Sequence, residues 1–133
     1  MEDIVDTLLQ YAEDVPVPLD EADIEDIVDA EAQILLPLPS SYKHFLLQVG
    51  HVVYGVVEPA TVADPGSHTY LPELTANAWD LGMDRQWAAI CQIPDGYYAI
   101  SPEGKIHLWH YNGSSEETHE DIWAWAQEIW LES

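Results

Sequence analysis

The chain is poor in basic residues and in cysteine, and both shortages exclude classes of protein. It has three Lys and Arg residues against 25 Asp and Glu residues, for a formal net charge of −22 over 133 residues. Phosphate groups repel such a surface, so neither a nucleic acid nor an anionic membrane is expected as a partner. Cys91 is the only cysteine, so an internal disulfide is impossible and a zinc site built from cysteine clusters is excluded.

Long apolar runs and a basic amino-terminal segment are also missing. No stretch approaches ~18 uninterrupted apolar residues, so a membrane span is not expected. The opening "MEDIVDTLLQ" is acidic and lacks the basic start of a secretory signal. We therefore expect a cytoplasmic protein. Within it, Cys91 lies in the apolar run "WAAICQI" and is predicted to be a buried, inert thiol.

Motifs for cofactors, metals and catalysis are absent as well. The sequence contains no GxGxxG, GxxxxGK[ST], HExxH or GxSxG pattern and no calcium-binding loop. His107 and His110 are three residues apart on a predicted strand, which places them on opposite faces. We expect no cofactor, no metal and no catalytic residue. A pocket in which two carboxylates converge with strongly split pKa values would instead indicate an enzyme.

What the chain does have is apolar and aromatic content. Apolar residues make up 47% and there are six tryptophans, which is unlike a charged, disordered chain. The length predicts one domain, 1–133. The negative charge allows three interpretations: solubility alone, attraction of a basic partner, or adaptation to high salt, which the apolar content does not favour.

The first part of the chain carries two acidic helical patterns. Residues 2–14 have apolar residues at helical spacing, and the proline-containing stretch 15–19 is predicted to end that helix. Asp20 and Asp23 are predicted to form the capping pair of a second helix, which runs to about residue 35. Twelve of residues 2–31 are acidic and none is basic, so we interpret this block mostly as the solvated face of two helices.

The stretch "LPSSYKHFLLQVG", residues 38–50, predicts a third helix. Proline ends the preceding helix, and Ser40 or Ser41 is expected to cap the next one. Lys43 is predicted to point away from the core, and Gly50 suits a left-handed position after the helix. Four residues at i, i+3, i+4 and i+7 are predicted to be buried: Tyr42, Phe45, Leu46 and Val49.

The rest of the chain carries strand and turn signals. Residues 51–58 are predicted to form a strand and residues 71–83 a short helix. Two turns, Pro94-Asp95-Gly96 and Pro102-Glu103-Gly104, join three short apolar runs and predict an antiparallel meander over about 87–111.

Residues 112–120 are predicted to be a polar loop and residues 119–131 a final helix capped by Thr118. This order of elements predicts an α+β fold, with a largely antiparallel sheet flanked by helices.

Acidic and aromatic residues of the second half are the candidates for binding. Trp109 and Tyr111 share a face of their predicted strand and belong either to the core or to a stacking surface. Interface hot spots favour Trp and Tyr, and acidic residues beside them would suit a basic protein. The candidate partner-binding residues are Glu58, Asp95, Trp109, Tyr111, Glu116, Glu117, Glu120 and Asp121.

The order of these motifs resembles the SUKH superfamily, the Smi/Knr group. The stretch 38–50 resembles its signature through Leu38, Pro39, Tyr42, Phe45, Leu46, Leu47 and Gly50. Later matches in the same order are Tyr54-Gly55 with Glu58, the strand 87–93, Gly96, Tyr98, Ile106, Leu108, Trp109 and the terminal helix. The resemblance covers about residues 20–131, so the helix at 2–14 is a candidate addition. The family often has Asn-Gly where this chain has Val49-Gly50, so no role for that asparagine carries over.

The resemblance implies the same α+β fold and two functions. Bacterial members are immunity proteins that bind and neutralise a toxin, often a nuclease, and fungal members regulate cell-wall synthesis through protein contacts. For this chain it implies a non-catalytic protein that binds a basic toxin domain, with a regulatory interaction module as the alternative. Fold alone does not fix function, and the oligomeric state stays open.

Overall fold

The protein has an α+β fold in which four helices precede a four-stranded antiparallel sheet and a fifth helix follows it; the α+β class is as predicted, whereas the predicted meander had three strands. The computed structural model describes residues 2–16 and 19–133. The helices are α1 (Glu2–Gln10), α2 (Ile24–Ile34), α3 (Ser40–Val49), α4 (Leu71–Asp80) and α5 (Ile122–Trp125). The strands are β1 (Ala88–Ile93), β2 (Gly96–Ile100), β3 (Ile106–His110) and β4 (Ser115–His119). A π-helical turn, Ala126–Trp130, continues α5 without a break.

The sheet is a meander with helices on both of its faces. Its strands lie in the order β1-β2-β3-β4, and each pair is antiparallel. Helix α4 packs against β1, where the buried Thr75 hydroxyl accepts a hydrogen bond from the Ala89 N–H at 3.0 Å. The ring of Trp125, on α5, contacts Tyr98 on the other face at 5.7 Å between centroids. The predicted meander is confirmed, because both turns join the strands that they were expected to join.

The core joins α3 to the carboxyl-terminal helix through aromatic rings. All four residues predicted to face the core from α3 are buried. The Phe45 ring lies 5.5 Å from that of Trp123 and 5.7 Å from that of Trp130. Two hydrogen bonds of 3.1 Å add to this packing: Trp130 Nε1 donates to the Tyr54 carbonyl, and the Tyr54 hydroxyl donates to the carbonyl of Leu131.

Several predicted helix boundaries and caps are wrong by three or four residues, which is about one helical turn. The capping box of α2 is Asp23 with Asp26, not Asp20 with Asp23: Asp23 Oδ1 accepts from the Asp26 N–H at 2.9 Å and Asp26 Oδ2 from the Asp23 N–H at 3.0 Å. Acids recur at three-residue spacing in this stretch, so the spacing alone did not show which pair of acids caps the helix. Helix α1 ends at Gln10. The predicted break at 15–19 falls partly outside the described residues, which omit 17 and 18.

The caps of α3 and α5 also differ from those predicted. Pro39 is the cap residue of α3 and makes no side-chain hydrogen bond, so neither serine caps it, and Gly50 is right-handed, with φ −63°. The Pro39 ring restricts φ, which is −58°, and its ψ of 146° is extended, as is usual for a cap residue. Asp121, not Thr118, caps α5: its Oδ1 accepts from the Ala124 N–H at 2.8 Å.

The strand predicted over 51–58 does not form, and a strand forms where a loop was predicted. Residues 51–58 follow an irregular path, because their backbone bonds to the segment after α1: the Glu13 N–H donates to the Val53 carbonyl at 2.7 Å. Gly55 has φ +63°, a left-handed conformation that suits glycine rather than a valine-rich strand. Strand β4 is polar because it is an edge strand with exposed side chains, a composition that resembles a loop.

Leu35, which ends α2, has an unusual backbone. In the described ranges it is the one residue other than glycine with positive φ, at φ 58°. The left-handed conformation costs an L-residue about 1–2 kcal/mol. Its side chain is 86% exposed, so burial does not offset that cost.

The charges are largely unpaired and the thiol is buried. Lys43 Nζ lies 3.6 Å from Glu31 and Lys105 Nζ lies 3.7 Å from Glu117, while Arg85 stacks over Trp79. Burial raises the pKa of the Cys91 thiol to about 12. None of the helices within 2–16 and 19–133 has the length and apolar character needed to cross a bilayer.

We predict that Tyr42→Phe stabilises the protein. The Tyr42 hydroxyl is buried and has no hydrogen-bond partner among the described residues, and burial raises its pKa. Removing a buried polar group without a partner should raise the free energy of unfolding by about 1 kcal/mol. Urea denaturation measures this, with Tyr54→Phe as the control that loses a hydrogen bond and about 1 kcal/mol. A loss of 1 kcal/mol or more for Tyr42→Phe would contradict the prediction.

We predict that Gly96→Ala disrupts the β2–β3 pairing. A Cβ at this buried position would overlap the Trp109 carbonyl, which is backbone and cannot rotate away. The expected loss is about 1–3 kcal/mol of unfolding free energy, as for other overpacked sites. Gly66→Ala is the matched control, because that glycine is exposed and its added Cβ meets only Asp64. Equal stabilities of the two variants in urea would show that the close approach at Gly96 is unimportant.

Candidate functional site

A cleft of about 310 Å³ opens at one end of the sheet. It lies where the β1–β2 turn and the end of β3 meet the loop that precedes α4. Its lining combines apolar walls with polar side chains at the rim: Glu58, His68, Thr69, Leu74, Gln92, Ile93, Pro94 and Tyr111. The structure thus brings together two predicted binding residues, Glu58 and Tyr111, and Asp95 follows Pro94 in the adjacent turn.

Tyr111 is the aromatic residue of this cleft that reaches solvent. It is 43% exposed, whereas Trp109 is 3% exposed, so Trp109 belongs to the core and Tyr111 to the surface. The Tyr111 ring packs edge-on against Trp109 and Tyr97, with centroids 6.1 and 6.0 Å away. Burial, and secondarily Tyr111, raises the pKa of the Tyr97 phenol. Buried rings therefore support the exposed one.

Hydrogen bonds fix the position of Tyr111 further. Its N–H donates to the Asp95 carbonyl at 3.0 Å, which ties the end of β3 to the β1–β2 turn. Its hydroxyl accepts from Gln92 Nε2 at 3.4 Å. An aromatic side chain held in this way loses little conformational entropy when a partner packs on it.

The charge at the cleft is negative. Glu58 is its one lining carboxylate, and its Oε2 lies 2.6 Å from His68 Nε2, with both side chains exposed. The exposed Asp95 adds a second acid at the rim. An exposed pair of this kind contributes little to stability, so the acids remain available to an incoming cation.

The other four candidate residues lie away from the cleft. Glu116 pairs with Leu108 in the sheet and shares the face that α5 covers, while Glu117 pairs with His107 and contacts Lys105. Glu120 and Asp121 follow β4 at the opposite end of the sheet, and Asp121 is occupied as the helix cap. The acids grouped by sequence proximity therefore do not form one surface.

Sequence reasoning missed the other six residues that line the cleft, among them His68, Leu74 and Gln92. These three come from three separate segments, and none carries a motif. The signal for His68 would have been its place after Asp64-Pro65-Gly66, since that turn reverses the chain toward Glu58. Gln92 interrupts an apolar strand run, which is a sign of an outward position.

A second groove, of about 650 Å³, lies between α1, α3 and α5. It is larger but carries one acid and no exposed aromatic ring: its lining is Val5, Asp6, Ser40, Ser41, His44, Gln48 and Trp123. In the part of the chain that the structure describes, no three His, Cys, Asp or Glu side chains converge in a way that could hold a metal ion. The end of the sheet is therefore the better candidate site.

Comparison with family models identifies the family of this chain. The SUKH family model described as SMI1-KNR4 cell-wall matches residues 1–131. A crystallised protein from Pseudomonas syringae pv. tomato is 44% identical, with a TM-score of 0.94 and coverage of 100% of both chains. No curated protein matches the chain. The match over nearly all residues shows that the chain belongs to the SUKH superfamily, within its SMI1-KNR4 cell-wall family.

Proposed function

We propose that this chain is a non-catalytic cytoplasmic immunity protein, which neutralises a bacterial toxin by binding its basic surface. The observation that carries the proposal is the exposed Tyr111, held by buried rings and flanked by Glu58 and Asp95. A rigid aromatic residue with acids beside it is a suitable anchor for a surface rich in Lys and Arg. The resemblance of the chain to bacterial immunity proteins supports the same assignment.

The net charge supports a basic partner. A chain of net charge −22 attracts cationic proteins and accelerates their encounter. A nuclease toxin binds the phosphate backbone of its substrate, so the surface that receives the substrate is expected to be rich in Lys and Arg. Binding of the acidic cleft over that surface would block the substrate without any chemistry by this protein.

A regulatory interaction module is the second candidate. It is favoured by the description of the matched family, which names the cell wall and not toxins. The two functions use the same kind of protein contact but differ in the partner. A gene for a large secreted protein with a variable carboxyl-terminal domain next to this one supports immunity, and an isolated gene supports regulation.

We predict that this protein protects cells from the toxin domain encoded beside it. Cells that co-express both should survive, and cells with the toxin domain alone should die. Tyr111→Ala should weaken the complex about 30-fold, the loss typical of an anchor residue worth about 2 kcal/mol, and should reduce protection. Tyr11→Ala, which removes another exposed tyrosine, is the matched control. Equal killing with and without the wild-type chain would contradict immunity to that toxin.

We predict that the acids at the cleft accelerate association with that partner. The double variant Glu58→Gln, Asp95→Asn should slow association about tenfold at low salt and leave dissociation nearly unchanged, because rim charges act mainly on the on-rate. Stopped-flow measurements at about 50 and 500 mM NaCl test this, and the difference should shrink at high salt.

The control for this measurement is Glu103→Gln with Glu120→Gln. It removes the same charge from the opposite end of the sheet, where the β2–β3 turn and the end of β4 lie. If both double variants slow association equally, overall charge and not the cleft determines the rate. An on-rate of the wild-type chain that does not change with salt would contradict electrostatic attraction altogether.

A further inference from the structure

Helix α2 presents a second apolar surface, on the side that does not pack into the core. Ile24, Val28 and Leu35 are 67%, 54% and 86% exposed. At 100° per residue Ile24 and Val28 fall about 40° apart on one face, which also carries the partly buried Glu31 before Leu35. Ile24 and Val28 lie beside the buried stripe of the helix, which consists of Ile27, Ala30 and Ile34, and Leu35 is the cap residue that follows its last turn. We call these three exposed residues the α2 ridge.

The backbone at the end of this ridge has the left-handed conformation that commonly ends a helix, but leucine is an unusual residue there. Leu35 has φ 58° and ψ 32°, where glycine or asparagine is the usual residue at a helix end. Leucine here adds backbone strain and exposes a large apolar side chain. Both effects oppose folding. Because glycine or asparagine would end the helix at lower cost, the choice of leucine motivates a functional hypothesis.

The charges around the α2 ridge are negative. Glu25 and Asp29 lie exposed on its flank, and Glu21 precedes the helix. The basic residue near its end is Lys43, which Glu31 holds at 3.6 Å. A second copy of this acidic chain, or an anionic lipid surface, would be repelled. The chemistry that complements the ridge is an apolar stripe flanked by Lys and Arg.

We infer that the α2 ridge is a docking surface for a basic amphipathic helix of a partner protein. Apolar side chains of that helix pack on Ile24, Val28 and Leu35, and its basic residues face Glu25 and Asp29. The inference rests on the proposed function for the statement that the partner is a basic protein. The surface lies on α2 and is distinct from the cleft at Tyr111.

The test is a titration of the isotope-labelled full chain with a synthetic 18-residue peptide of leucine and lysine, with leucines at helical spacing. NMR shifts should be concentrated in residues 24–35. Leu35→Asn should weaken the peptide about tenfold, as expected for an interface hot spot. The same variant should melt no lower than wild type and about 3 °C higher, because asparagine tolerates the left-handed conformation.

The matched control is Leu81→Asn, which removes another exposed leucine at a helix end, 56% exposed and right-handed. It should change peptide affinity less than about twofold. A purely structural role for Leu35 predicts that its replacement leaves binding unchanged. A peptide of the same composition with scrambled order should bind the wild-type chain weakly.

Several outcomes would overturn the inference. They are no binding of the ordered peptide, equal binding of the scrambled one, shifts centred on Glu58 and Tyr111, or equal losses for Leu35→Asn and Leu81→Asn. A wild-type chain that is dimeric and becomes monomeric on Leu35→Asn would assign the ridge to a second copy instead. The titration does not involve a toxin. It therefore tests the α2 ridge as a docking surface independently of whether the co-expression experiment supports immunity.

Discussion

Contact between α3 and the carboxyl-terminal helix is the constraint on which the rest of the structure depends. Phe45, the only phenylalanine in the chain, packs against both Trp123 and Trp130. Tyr54 bonds to this helix through both its carbonyl and its hydroxyl. The last residues of the chain therefore fix the segment that leads from α3 to Glu58. Because Glu58 lines the cleft, the position of the cleft depends on these contacts on the far side of the sheet.

The distribution of charge explains how such an acidic chain can fold. The apolar residues form one core cluster that contacts every helix and reaches β1, β2 and β3, while the acids remain at the surface with few basic partners. Self-repulsion of unpaired charge opposes compaction, so packing inside must compensate for it. A surface arranged in this way contributes little to stability and is free to serve recognition.

The sequence predicted the meander and the α3 core face well, because turn residues and helical spacing are local signals. The turn residues Pro94-Asp95-Gly96 end a strand independently of the tertiary structure around them. The irregular path of 51–58 was not predictable, since the Glu13 N–H donates to the Val53 carbonyl and the Glu13 carboxylate accepts from the Gly55 N–H, and these bonds override a valine-rich pattern. Trp109 and Tyr111 were correctly placed on one face, but only the fold could show which of them is covered. The exposure of Leu35 had no local signal at all.

The buried thiol of this protein can be used to detect when the folded structure opens to solvent. Cys91 is the sole cysteine, lies in β1 and has a pKa raised by burial to about 12. Burial and the raised pKa both disfavour its thiolate, the form that reacts, until the strand is released to solvent. The rate at which a thiol reagent modifies Cys91 therefore reports how often β1 becomes accessible to solvent. No label has to be introduced for this measurement.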